Sequence, residues 1–433
     1  MTTNAPDPGP PASSQRSLLA FLRTEVGGAS LLLVATVVAL VWANSPWASS
    51  YVDLWSTELK LGIGDLAIDH DLGHWVNDGL MVLFFFVVGL EVRRELAFGD
   101  LSNPRVAAIP AIAALAGMVV PALLYVAINA GGPGAHGWGI VMATDIAFVL
   151  GAMALLGSRV SAGTRLFLLT LAIVDDIGAI VVIAIFYAGA VNLVWLGAAV
   201  AIVVVTVLLV RFGEARRPGG WGWPFYLVAG LALWIATTQS GIHPTIAGVV
   251  MGLIVVVRPR ADGAGGADAL TPNERFQMAI HPWSSFVVIP LFALANAGVA
   301  FGDGVFERAL TSPVTIGVIV GLVVGKLLGI SLSTTLAVRF GGRLPGAMRE
   351  RHALGAGGLA GIGFTVSLFV ADLAFDDAML RDEAKIGVLV ASVIAVTLGS
   401  LLFSHAARER PGKDGEPREV GSEPREHGES SAT

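Results

Sequence analysis

Twelve stretches of roughly 20 mostly apolar residues recur along this 433-residue chain, over 17–43, 73–95, 107–129, 138–156, 163–188, 192–211, 222–238, 243–257, 284–301, 314–337, 353–372 and 384–405. About 20 apolar residues are needed for a helix to cross the hydrocarbon of a bilayer, so each stretch fits one crossing. Composition agrees, with 55% of residues hydrophobic and only 14% Asp, Glu, Lys or Arg. A soluble domain carries about 25% charged residues. A chain this apolar cannot cover itself with polar side chains in water, which excludes a soluble enzyme or a disordered protein. The formal charge of −6 leaves no basic footprint for nucleic acid. Cysteine is absent, which removes disulfides, thiolate metal sites and thiol redox chemistry. The 53 glycines and 10 tryptophans suit packed membrane helices with interfacial aromatics.

The expected fold is an all-α integral membrane protein of twelve transmembrane helices over residues 16–406. Disordered tails flank it at 1–15, with Pro6, Pro8, Pro10 and Pro11, and at 407–433, rich in Gly, Pro, Ser, Glu and Arg. With the N-terminus inside, 22 of the 27 lysines and arginines fall on the inner loops and tails and four on the outer loops, while Lys326 lies within a span. Positive charge stays on the cytoplasmic side, so an even number of spans and two cytoplasmic termini follow. The outer loops are acidic, with Asp53, Glu58, Asp65, Asp69 and Asp71 in one of them.

Charges inside the spans are costly, at least about 2.5–3.5 kcal/mol each, and each is therefore a functional candidate. Asp175 and Asp176 stand between flanks of about ten apolar residues, near the midplane. Adjacent helical positions point about 100° apart, so both can border one cavity. Two close carboxylates resist double ionisation, and hard cations such as sodium prefer such oxygens, so protons and a cation would compete for them. Thr144 and Asp145 interrupt another apolar run and suggest a broken helix whose exposed ends need charge partners. Lys326, about a dozen residues into its span, would pair with one of the aspartates. Glycines at 355, 357, 358, 361 and 363 mark a second interrupted span, the counterpart of the first. Spans three to five and ten to twelve are the candidate inverted repeats. Glu91, Arg93, Arg94 and Glu95 cluster at the end of span two, Asp78 lies a turn inside its other end, and His243 begins span eight.

The stretches FFFVVGLEVRREL (84–96), ATDIAFVLG (143–151), LAIVDDIGAI (171–180), SGIHPTIAGV (240–249), HPWSSFVVIPLFALANAGV (281–299), GKLLGI (325–330) and GIGFTVSLF (361–369) together resemble the NhaA-type sodium/proton antiporters, in the same order and from about residue 15 to 405. The resemblance implies twelve helices with two inverted repeats, and spans four and eleven unwound where they cross. It implies an ion site at Asp175 and Asp176, with Thr144 and Asp145 at the crossing, and Lys326 paired with the first aspartate. Glu91, Arg94, Glu95 and His243 match positions tied to pH regulation. It further implies an electrogenic exchange of cytoplasmic sodium and lithium for external protons in the inner membrane, without a cofactor, and a homodimer built partly through an outer hairpin near residues 45–60. One departure stands out. Many family members carry a glutamate and a histidine before the HPW motif, where this chain has Gln277 and Met278. This predicts pH control that is shallower or displaced.

Other functions fit less well. A symporter of organic anions needs a larger polar cavity than the few Ser, Asn, Gln and Tyr residues near Asp175 provide, and a passive channel has no use for the paired charges. The GIGD stretch at 62–65 has the pattern of an intramembrane protease but falls in a polar loop. His70 and His74 have metal-pair spacing without the glutamate of an HExxH site.

Overall fold

The computed structural model describes residues 12–61, 68–214, 222–257, 270–302, 304–346 and 348–408. The expected tails lie outside the described residues except at 12–15 and 407–408, which are helical, and the GIGD stretch at 62–65 lies outside them altogether.

Besides short helices such as Ala48–Trp55 and Val305–Thr311, twelve helical segments appear in chain order among the described residues. They are α1 (Ala12–Ala43), α2 (Leu72–Phe98), α3 (Pro104–Asn129), α4 in two pieces (Pro133–Val141 and Ile146–Leu156), α5 (Ala162–Phe186), α6 (Leu193–Glu214), α7 (Trp223–Ser240), α8 (Thr245–Ile254), α9 (Pro272–Asn296), α10 (Pro313–Arg339), α11 in two pieces (His352–Ala360 and Phe364–Ala374) and α12 (Ala378–Arg408). Eight of them are long and apolar enough to cross a membrane, or ten counting each bent pair as one crossing. Length and composition among the described residues therefore do not by themselves confirm the expected count of twelve. α8 has 10 residues and is about 15 Å long, and α7 dilutes its apolar residues with Trp223, Trp234, Thr237, Thr238 and Gln239.

The fold is not purely helical. Strands β1 (Glu58–Leu61) and β2 (Ile68–Asp71) pair antiparallel, with Glu58 opposite Asp71 and Leu61 opposite Ile68. The hairpin thus lies beyond the expected 45–60, because residues 48–55 form a short helix instead. Asp71 ends β2 and caps the next helix, its carboxylate accepting from His74 N at 2.7 Å.

Small residues set the closest packing. A Cβ on Gly325 would lie 2.7 Å from Pro121 Cα, and one on Gly329 2.5 Å from Ala116 O, so α10 meets α3 nearly backbone to backbone. This contact carries Lys326 into the centre of the molecule. α3 also packs against α5, as α10 packs against α12. Along these long apolar helices many large apolar side chains face outward, among them Val34, Val37 and Val41 on α1 and Leu115, Val119 and Leu123 on α3, a contiguous exposure that suits lipid. The protein is therefore a multi-pass membrane protein.

Candidate ion site

The two broken helices build the site. α4 bends by 49° at its break and α11 by 44°. Asp145 N donates to Ile362 O at 2.7 Å, and Ser367 Oγ donates to Ile140 O at 2.6 Å. Partners rise along α4 as they fall along α11, so the two segments cross antiparallel.

Each break leaves helix ends whose partial charges need partners. Asp145 serves the two positive ends. Its Oδ1 accepts from Phe148 N at 3.1 Å, and its Oδ2 accepts from Thr365 N at 3.0 Å and Thr365 Oγ1 at 2.7 Å. One carboxylate therefore caps the second halves of both α4 and α11. The negative ends are met by the Lys326 ammonium, which donates to Met142 O, and by the Thr144 hydroxyl, 2.9 Å from Ala360 O.

Asp175 and Asp176 lie midway along the 25 residues of α5. Their diverging directions put them in different surroundings. Asp175 turns inward and is fully buried; its Oδ2 lies 2.5 Å from Lys326 Nζ and 2.6 Å from Thr144 Oγ1. Asp175 Oδ1 has no hydrogen-bond partner among the described residues. Asp176 instead borders a cavity of about 210 Å³ together with Thr144, Asp145 and Thr365. Further along its wall are Thr170 and, from the π-turn Ser284–Val288 of α9, Ser284 and Ser285. Glu91, Arg94, Glu95 and His281 line the end away from the hairpin. The oxygens facing this space are carboxylates and hydroxyls, the ligands a hard cation prefers.

The four positions matched to pH regulation do not form one cluster. Glu91, Arg94 and Glu95 share the cavity, where Arg94 Nη1 donates to Gln277 Oε1 at 2.9 Å and Glu95 Oε2 accepts from Asp100 N at 3.2 Å. His243 lies on the hairpin side, its Nε2 3.7 Å from Asp78 Oδ1. Sequence reasoning missed Thr365, Ser367 and the Met142 carbonyl. The first two stood within the GIGFTVSLF stretch, but nothing in one-dimensional spacing tells which hydroxyl meets Asp145. His70 and His74 stack at 5.5 Å between rings, and no metal-binding group of three occurs among the described residues.

Residues 19–403 match the family described as Na+/H+ antiporter 1. Similar proteins include the Na(+)/H(+) antiporter NhaA 3 of Frankia alni, 45% identical over 94% of both chains. The Na(+)/H(+) antiporter NhaA 2 of Sorangium cellulosum is 42% identical over 89% of this chain and 90% of its own. The Na(+)/H(+) antiporter NhaA of Syntrophobacter fumaroxidans is 41% identical over 90% and 91%. Its relatives are transporters rather than enzymes, and with likeness of this extent across chains of matching length, the protein belongs to the NhaA-type Na+/H+ antiporter family.

Proposed function

We propose that the protein exchanges cytoplasmic sodium, and lithium, for external protons by competition at Asp175 and Asp176. The observation that carries this is the asymmetry of the pair. Asp176 faces the cavity, whereas Asp175 is locked against Lys326 at 2.5 Å. A sodium ion arriving through the cavity meets Asp176 first, with Thr144 and Asp145 beside it. To take Asp175 Oδ2 as well, it must displace the Lys326 ammonium, which ties the lysine to ion arrival. Protons entering from the other side neutralise the same carboxylates and release the ion.

In this reading twelve segments cross the inner membrane, α7 and α8 completing the count, with both termini cytoplasmic, as the lysine and arginine distribution supports. Glu91, Arg94, Glu95 and His243 adjust the response to pH. Exchange of more than one proton per sodium is electrogenic, and each net charge draws about 2.3 kcal/mol from 100 mV of potential. The β1–β2 hairpin, with all four β1 residues exposed, offers an edge for a second copy in a homodimer.

The test is proton flux in liposomes, with sodium, lithium, potassium and calcium added in turn. Asp175→Asn and Asp176→Asn should each abolish sodium-driven proton movement while the protein remains folded in the membrane. Exchange at the unmodified rate in both variants would overturn the assignment.

A further inference from the structure

The β1–β2 hairpin holds a pair of histidines for which the ion site has no use. His70 is the third residue of β2, and His74 stands in the first turn of α2. The chain changes from strand to helix between them, at Asp71, and this brings their rings together. The rings stack at 18° with centroids 5.5 Å apart. Two imidazoles that share one zinc ion need about this separation. The metal sits about 2.0–2.1 Å from each ligating nitrogen and so about 3.2 Å from each ring centroid, which at the tetrahedral angle puts the centroids about 5 Å apart.

The surroundings fix both rings in advance. Asp71 Oδ1 accepts from His74 N at 2.7 Å and lies 2.8 Å from His74 Nδ1. An ionised carboxylate only accepts, so Nδ1 carries the proton and the ring's lone pair is left on Nε2. This carboxylate–histidine pairing is the arrangement that orients imidazole ligands in metal sites. His70 pairs with Leu59 across the hairpin. Trp75 meets the His70 ring edge-on at 6.4 Å, and its Nε1 donates to Leu59 O at 2.8 Å. Leu72 N donates to Thr57 O at 3.0 Å, which ties the strand-to-helix turn to the chain just before β1. The His74 side chain is 62% exposed, which leaves room for water around an ion. Across the two strands Glu58, Asp69 and Asp71 face a single lysine, Lys60, so the local charge favours a cation.

We propose that His70 and His74 form a transition-metal site on the hairpin, taking zinc or a similar imidazole-binding divalent ion with water in the remaining positions. The inference stands independently of the antiport reading. Imidazole suits zinc, nickel and copper, whereas magnesium and calcium prefer carboxylate and carbonyl oxygens, so this site differs in chemistry from Asp175 and Asp176. Asp71 is engaged by His74 and so supports a ligand instead of being one. With two protein ligands the site binds more weakly than a four-ligand structural zinc centre. Its effect is local, since the ion joins the end of β2 to the first turn of α2.

The test uses the full chain in detergent, without a histidine tag. Calorimetric titration should show zinc binding that magnesium and calcium do not compete away. His70→Ala and His74→Ala should each abolish it, with an unchanged melting temperature in the absence of zinc. Asp71→Asn, which leaves both ligands in place, should weaken it about tenfold. Zinc should also slow amide exchange from Asp71 to His74 in the unmodified protein but not in His70→Ala. Zinc binding of unmodified strength in both alanine variants would place the metal elsewhere and overturn the proposal. So would the lack of any zinc-dependent protection at the hairpin.

Discussion

Lys326 is the residue on which most of the central electrostatics converge. It is fully buried and touches Asp175, Thr144 and the Met142 carbonyl, so one ammonium serves a carboxylate and a helix end. Lys326→Ala would leave Asp175 as an uncompensated buried charge, at a cost of about 3–5 kcal/mol. The expected outcome is a clearly lower melting temperature in detergent and a shifted pH profile of transport; an unchanged melting temperature and profile would show the pair to be dispensable. Asp145 poses the complementary case. Asp145→Ala removes caps from two half-helices at once, each worth about 1 kcal/mol. Asp145→Asn, which keeps a side-chain oxygen, should lose less stability in the same thermal assay.

At the scale of elements, the docking of α9 on α2 bears on regulation. Asn273 Nδ2 donates to Leu90 O at 3.0 Å, Gln277 Nε2 donates to Asn273 Oδ1 at 2.9 Å, and Arg94 donates to Gln277. Arg94 Nη2 also lies 3.8 Å from Glu95 Oε1, so the strap borders a carboxylate while its own hydrogen bonds run through amides. Replacing Gln277 by Glu and Met278 by His puts titratable groups on this contact. Transport measured from pH 6 to 9 should then respond more steeply than in the unmodified protein, since several groups titrating together sharpen a transition. Superimposable curves would place pH control at the ion site instead. The hairpin offers a second, simpler titration. Burial pushes the Asp71 carboxyl up, but its hydrogen bonds and charge interaction with His74 outweigh this and hold it below the ordinary value of 3.8. Its folded-state pKa being depressed, its contribution is present above the unfolded value and is lost as pH falls through the folded one. Amide exchange at His74 should therefore accelerate below about pH 4, and Asp71→Asn should remove that acid step.

At the scale of the whole molecule, apolar patterning and the position of charge tell separate stories. The spans needed only their hydropathy to be found, because a bilayer imposes a length of about 20 apolar residues whatever the neighbours are. The family followed from motif order along the chain. Competition between protons and sodium at one carboxylate pair predicts a transport rate that rises with pH from acid values and falls once protons become limiting, measurable as flux at fixed sodium. A rate independent of pH would remove that competition.

The sequence by itself determined the membrane class, the interrupted spans, and the buried Asp145, Asp175, Asp176 and Lys326, since each follows from hydropathy and from the cost of charge in hydrocarbon. Its count of twelve crossings is not confirmed by helix length alone, because α8 ends after 10 residues where Val255 turns extended, with φ −60 and ψ 131. The resemblance tied His243 to pH regulation together with Glu91, Arg94 and Glu95, but the fold sets His243 beside Asp78 and away from the cavity those three line. Only the tertiary structure decided that Asp175 takes the lysine while Asp176 takes the cavity, and that Asp145 caps both broken helices. These depend on contacts such as Asp145 with Thr365, 220 residues apart. Hydropathy records how deep a residue lies but not which neighbour it meets there, and that choice is made by helix packing across glycine-lined contacts.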